Sequence, residues 1–271
     1  SWGSSPFGAW PGCCVDGSTY YLRSECTSRS SHCAYCPDKL IGALNCTAAV
    51  APALSSSTWV PMCVKNVVVP EGVQSIPTNA LKGCKEVVSV TLPRSVTSIG
   101  SNAFSSCSNL VNISMNNVTS IGDHAFSSCG NLVDISMNSV TSIAGGAFMG
   151  CQGLTSVSMN SVTSLGWGAF MHCSNLRNVS MNSVTSIGGN AFGYCRNLVS
   201  VTFPASLSSI GSQAFVECTK LVSVNFASSA VTASSWGSSP FGAWPGCCVD
   251  GSTYYLRSEC TSRSSHCAYC P

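Results

Sequence analysis

Seven cysteines, Cys84, Cys107, Cys129, Cys151, Cys173, Cys195 and Cys218, follow one another at intervals of 23, 22, 22, 22, 22 and 23 residues. Other columns keep the same phase. One runs Leu81, Phe104, Phe126, Phe148, Phe170, Phe192 and Phe215; another runs Leu110, Leu132, Leu154, Leu176, Leu198 and Leu221. A third is Ile76, Ile99, Ile121, Ile143, Leu165, Ile187 and Ile210. The unit reads roughly C-x-x-L-x-x-[VI]-x-M-N-x-V-T-S-I-G-x-x-A-F-x-x. No single unit of this size buries its apolar side chains alone, so the pattern predicts a solenoid whose core forms only by stacking.

One unit shows how the coil is made. Leu110, Ile113 and Met115 alternate with Asn112, Ser114 and Asn116, the period of a half-buried strand. Val118 and Ile121 bracket Thr119 and Ser120, a second short extended piece. Gly122 then turns the chain, and Ala125, Phe126 and Cys129 point inward from a short helical or 3₁₀ turn. Coils stacked at about 4.8 Å make this stretch roughly 35 Å long. The predicted fold is a repeat solenoid of β-rich leucine-rich-repeat coils with short helical or 3₁₀ turns, flanked by small Cys-rich segments.

The stretch V-T-S-I-G-x-x-A-F-x-x-C-x-x-L, as in Val118–Leu132 and Val184–Leu198, resembles the BspA-type (treponemal-type) leucine-rich repeat over about residues 62–226. The resemblance implies a secreted or surface-attached protein, often adhesive, without catalysis. Family units are usually 23 residues, like 85–107 and 196–218, which keep a corner proline (Pro93, Pro204). The internal units here have 22 residues, with Met-Asn at that corner.

A second repeat brackets the first. Residues 1–37 recur letter for letter as 235–271, an offset of 234. Packing does not demand identity at every loop serine, so we read a recent tandem duplication. The chain divides into a Cys-rich N-terminal segment or cap (1–61), the solenoid (62–234), and a copy of 1–37 (235–271). That copy is either the start of a next module or a C-terminal cap.

The cysteines form two populations. The ladder from Cys84 to Cys218 reads as buried thiols acting as small hydrophobes. Cys13, Cys14, Cys26, Cys33 and Cys36, with Cys46 and Cys63, lie in a segment too small for a large core. With Cys247, Cys248, Cys260, Cys267 and Cys270 of the second copy they are disulfide candidates, which the extracellular reading favours. Cys26, His32, Cys33 and Cys36 could instead ligate zinc.

No motif for catalysis or for a cofactor is present: there is no phosphate-binding glycine loop, no H-E-x-x-H and no nucleophile elbow. His124 and His172 fall at variable turn positions, and Asp123, Asp134, Glu86 and Glu217 are isolated. The reading is therefore not an enzyme, with no metal and no cofactor. Charged residues make up 8% of the chain and the net charge is +2 without a basic run. Nucleic-acid binding needs clustered cations, and a membrane span needs about 20 apolar residues; neither is found. The replacement is Ser, Thr and Asn in the solvent columns, where like charges stacked every 4.8 Å or so would repel. N-x-[ST] sequons at Asn45, Asn112, Asn117 and Asn178 are glycosylation candidates. The Thr119, Thr141, Thr163 and Thr185 column and its neighbouring serines could carry O-glycans. The expected function is a structural extracellular protein whose modules join head to tail into a fibre or surface filament, its partner being itself. The alternative is a surface adhesion or ligand-binding module.

Overall fold

In the computed structural model the described residues are 65–69, 71–227 and 237–241, with the backbone of three short strands at each end of the chain. The first three are β1 (Cys13–Asp16), β2 (Thr19–Leu22) and β3 (Ala34–Tyr35). They form an antiparallel sheet in the order β2-β1-β3.

The solenoid follows, with two strands per coil. The longer ones are β4 (Asn66–Val68), β6 (Ser89–Thr91), β8 (Asn112–Ser114), β10 (Asp134–Ser136), β12 (Ser156–Ser158), β14 (Asn178–Ser180), β16 (Ser200–Phe203) and β18 (Ser223–Phe226). The shorter ones are β5 (Ser75–Ile76), β7 (Ser98–Ile99), β9 (Ser120–Ile121), β11 (Ser142–Ile143), β13 (Ser164–Leu165), β15 (Ser186–Ile187) and β17 (Ser209–Ile210). Each pairs in parallel with its equivalent one coil away, as Ile121 with Ile143 and Val157 with Val179. The short strands make one continuous seven-stranded sheet. The long series is interrupted between β10 and β12, a break that no neighbouring residue explains. The second Cys-rich copy supplies β19 (Cys247–Asp250), β20 (Thr253–Leu256) and β21 (Ala268–Tyr269).

The core is the set of apolar columns. Phe104, Phe126, Phe148, Phe170 and Phe192 are fully buried and lie nearly parallel, with centroids 5.0–5.5 Å apart. That is close to the strand spacing of about 4.8 Å, so one coil repeat places each ring on the next in an offset stack.

The third side of each coil, expected as a short helical or 3₁₀ turn, keeps the three-residue back-bonds of a 3₁₀ turn without forming a helix. No helix forms among the described residues, because every second amide leaves the coil. Ala125, Ser127 and Cys129 donate back three residues to Gly122, His124 and Phe126. Between them, His124, Phe126 and Ser128 donate forward to Gly145, Ala147 and Met149 of the next coil. Two residues per coil turn left-handed to allow this, such as His124 (φ 53°) and Ser128 (φ 62°). A helix would have used those amides internally and left this side of the coils unjoined.

Candidate functional site: the closed end of the solenoid

A coil built this way has a problem at its last turn, where forward-donating amides need acceptors that no further unit supplies. In the coil of Gln213 and Phe215 the acceptors come from the duplicated segment. Gln213 donates to the Ser238 carbonyl at 3.2 Å and Phe215 to the Pro240 carbonyl at 2.7 Å. Gly237 donates back to Ile210 at 2.6 Å. Ser238 donates through its amide to the Ser212 hydroxyl, at 3.0 Å, and lies within 3.1 Å of it through its own hydroxyl.

The reason lies in a motif that sequence reading had passed over. Gly237-Ser-Ser-Pro-Phe241 is G-x-x-[A]-F with proline in the alanine column. The Ala-column amide bonds only within its own turn, so proline forfeits that bond while still offering its carbonyl to the coil before. A Cβ on Gly237 would overlap the Ser212 amide, so glycine is needed where the chain crosses so closely. Phe241 is buried and stacks on Phe215, with centroids 5.4 Å apart and the rings inclined by 21°, as one more rung of the ladder.

The strand side closes as well. β20 pairs antiparallel with β18, Val224 opposite Tyr254 and Asn225 opposite Thr253, and β19 and β21 extend the sheet beyond it. The solenoid's exposed sheet edge thus becomes an interior strand.

The ladder cysteines are all buried and in no disulfide. Each thiol from Cys107 to Cys218 donates to a carbonyl of the preceding coil at 3.1–3.2 Å: Cys107 to Leu81, Cys129 to Phe104, and so on to Cys218 and Phe192. The same carbonyl already accepts the amide of the cysteine in its own coil, as Phe126 does from Cys129. The thiol therefore satisfies a second lone pair of a buried carbonyl, a role beyond that of a small hydrophobe. Burial pushes Cys84, Cys129, Cys173 and Cys218 up to about 12. It raises Cys107, Cys151 and Cys195 well above the ordinary thiol range.

Of the disulfide candidates, Cys13 and Cys14 lie on β1 and Cys247 and Cys248 on β19. Cys26, Cys33, Cys36, Cys46, Cys63, Cys260, Cys267 and Cys270 fall outside the described residues, as does Asn45. Asn112 and Asn178 are exposed on β8 and β14. Asn117 is exposed too, but its amide nitrogen donates to the Arg94 carbonyl at 2.8 Å. The threonine column is also engaged: Thr119, Thr141, Thr163 and Thr185 donate their hydroxyls to the preceding coil's threonine carbonyl at 2.9–3.1 Å.

His172 stacks on Tyr194 at 4.6 Å between centroids, and Trp167 is 53% exposed nearby in sequence. A hollow of about 320 Å³ lies at the corner between Pro93 and Asn117, where the Pro93 unit meets the first Met-Asn unit. Among the described residues no three His, Cys, Asp or Glu side chains gather as a metal site would require. No described helix is long and apolar enough to cross a membrane.

A family model for the BspA type leucine rich repeat region matches in six copies across residues 54–177 and 137–238. The chain belongs to the BspA-type leucine-rich-repeat family. No curated protein matches it by sequence. Among solved structures, a leucine-rich repeat protein from Bacteroides ovatus is 30% identical, with a TM-score of 0.58 over 62% of this chain and 46% of its own. The BspA-type chain thus spans about half the length of that relative. The Treponema pallidum leucine rich repeat protein is 28% identical, with a TM-score of 0.40 over 60% of this chain and 80% of its own. The pneumococcal vaccine antigen PcpA, 19% identical with a TM-score of 0.52 over 68% of this chain and 51% of its own, shares the fold.

Proposed function

We propose that this BspA-type protein is a structural module of the cell surface or extracellular space, built to continue head to tail into a fibre. The observation that carries the reading is the joint: the segment that opens the chain recurs at 235–271, and there it supplies the next rung to the terminal coil. A segment that both begins a module and completes the preceding one makes capping and elongation the same contact. Such a heterologous contact generates an open array rather than a closed oligomer. The polar columns fit this role, since they hold the coils together without charge. Glycans on Asn112 and Asn178, exposed in one strand column, belong to the same reading. The adhesive alternative draws on the exposed Trp167.

The test is the shape of a chain carrying two consecutive 234-residue modules followed by the 37-residue segment. Small-angle scattering and negative-stain images should show one unbent rod whose solenoid part lengthens by roughly 40 Å for each added module, at about 4.8 Å per coil. Two compact bodies at variable angles would refute a continuous fibre.

A further inference from the structure

The terminal coil cannot tell its own residues 235–271 from residues 1–37 of another molecule, because the two segments are identical. We propose that β18 and the face of the Phe215 ring that Phe241 covers form an acceptor surface for residues 1–37 of a second copy of this chain. Residues 235–271 then act as a tethered competitor that keeps the surface filled. The inference rests on the head-to-tail reading and adds to it a partner and a means of control.

Two observations favour this occupant. In the second copy, the outer edge of β20 is consumed by β18. In the first copy, the same four residues Thr19–Leu22 form β2, which lies at the edge of its sheet among the described residues. An edge strand and a matching acceptor edge are the two halves of strand addition. The register carries over directly, with Thr19 and Tyr20 taking the places of Thr253 and Tyr254 opposite Asn225 and Val224. Gly3 and Phe7 stand where Gly237 and Phe241 stand in the second copy, so the segment brings the same glycine crossing and the same ring.

Tethering decides which copy wins in dilute solution. A linked segment acts at an effective concentration on the order of millimolar, so micromolar chains close on themselves and remain monomers. Weakening only the second copy reverses the balance.

The experiment compares three versions of the 271-residue chain by light scattering over a concentration series. The wild type is expected to be monomeric at micromolar concentration. A chain with Gly237→Val and Phe241→Asp should assemble into multimers that grow with concentration, at least doubling the mean mass. Adding Gly3→Val and Phe7→Asp to that chain should return it to monomer. Assembly that persists in the fourfold variant, or a folded double variant that stays monomeric, overturns the proposal. If the double variant does not fold, the wild type at millimolar concentration gives the answer: multimers that dissolve on dilution support exchange, and a constant mass refutes it. A straight two-module rod together with absent exchange would confine the joint to one covalent chain and leave the fibre reading intact.

Discussion

At the residue scale the cysteine ladder ties packing to protonation. Each thiol from Cys107 to Cys218 must remain S–H to donate to a carbonyl of the coil before it, and burial enforces this by opposing the thiolate. The sign of the pH effect follows. The folded thiols hold their protons up to about 12, whereas exposed thiols release theirs near 9.0. Between those values the unfolded chain binds fewer protons, so stability declines as pH rises, by about 1.4 kcal/mol per pH unit for each fully shifted thiol. Below about pH 8.5 these groups contribute no pH dependence. Denaturant melts should give a constant midpoint from pH 6 to 8 and a steep fall between about 9 and 11; a flat profile to pH 11 would contradict the ladder. Its position was legible from the spacing alone. Its second role was not, since the acceptor is a carbonyl 25 or 26 residues away.

At the element scale the unit is a triangle whose third side is a turn that resembles a helix only locally. The apolar spacing of Ala125, Phe126 and Cys129 fits a helical turn, and the back-bonds to Gly122, His124 and Phe126 keep that character. What the spacing could not reveal is that the alternate amides are claimed by the next coil. The left-handed residues mark where this happens. Asn, Gly and Ser hold many of these positions, but Gln213 (φ 55°) and Glu217 (φ 58°) are less suited to that conformation. Gln213→Asn should therefore raise stability by about 0.5–1 kcal/mol, read as a higher urea midpoint at unchanged m-value. Phe148→Ala, removing a fully buried ring between two stacked neighbours, should cost about 3–5 kcal/mol in the same assay.

At the scale of the whole molecule, almost everything that holds the solenoid together spans one coil. The side-chain hydrogen bonds of Ser139, Ser161 and Ser183 reach carbonyls 23 residues earlier, and those of the threonines reach 22. The polar columns are therefore stitching rather than bare solvent faces, in a chain with 8% charged residues. Nearest-neighbour bonding also predicts modularity. Deleting the 22 residues 129–150 keeps every column in phase, so the shortened chain should fold cooperatively with a slightly smaller m-value. Deleting only 129–149 shifts inward side chains out of register with their columns, and that chain should lose its cooperative melt. Circular dichroism with urea titration distinguishes the two.

The strict period was enough to establish the solenoid, its inward columns and its family, because stacking makes every coil answer to the same geometry. Residues 235–271 were equally visible as a copy, and their use as start or cap was left open. Where the copy packs depends on contacts between residues far apart in the chain: Phe241 on Phe215, the Pro240 carbonyl on the Phe215 amide, and β20 along β18. A proline in the alanine column hides the final rung from a pattern search, and an antiparallel closing strand has no periodic signature. Only the demand of the last coil for acceptors, met in three dimensions, brings the copy onto the end of the solenoid.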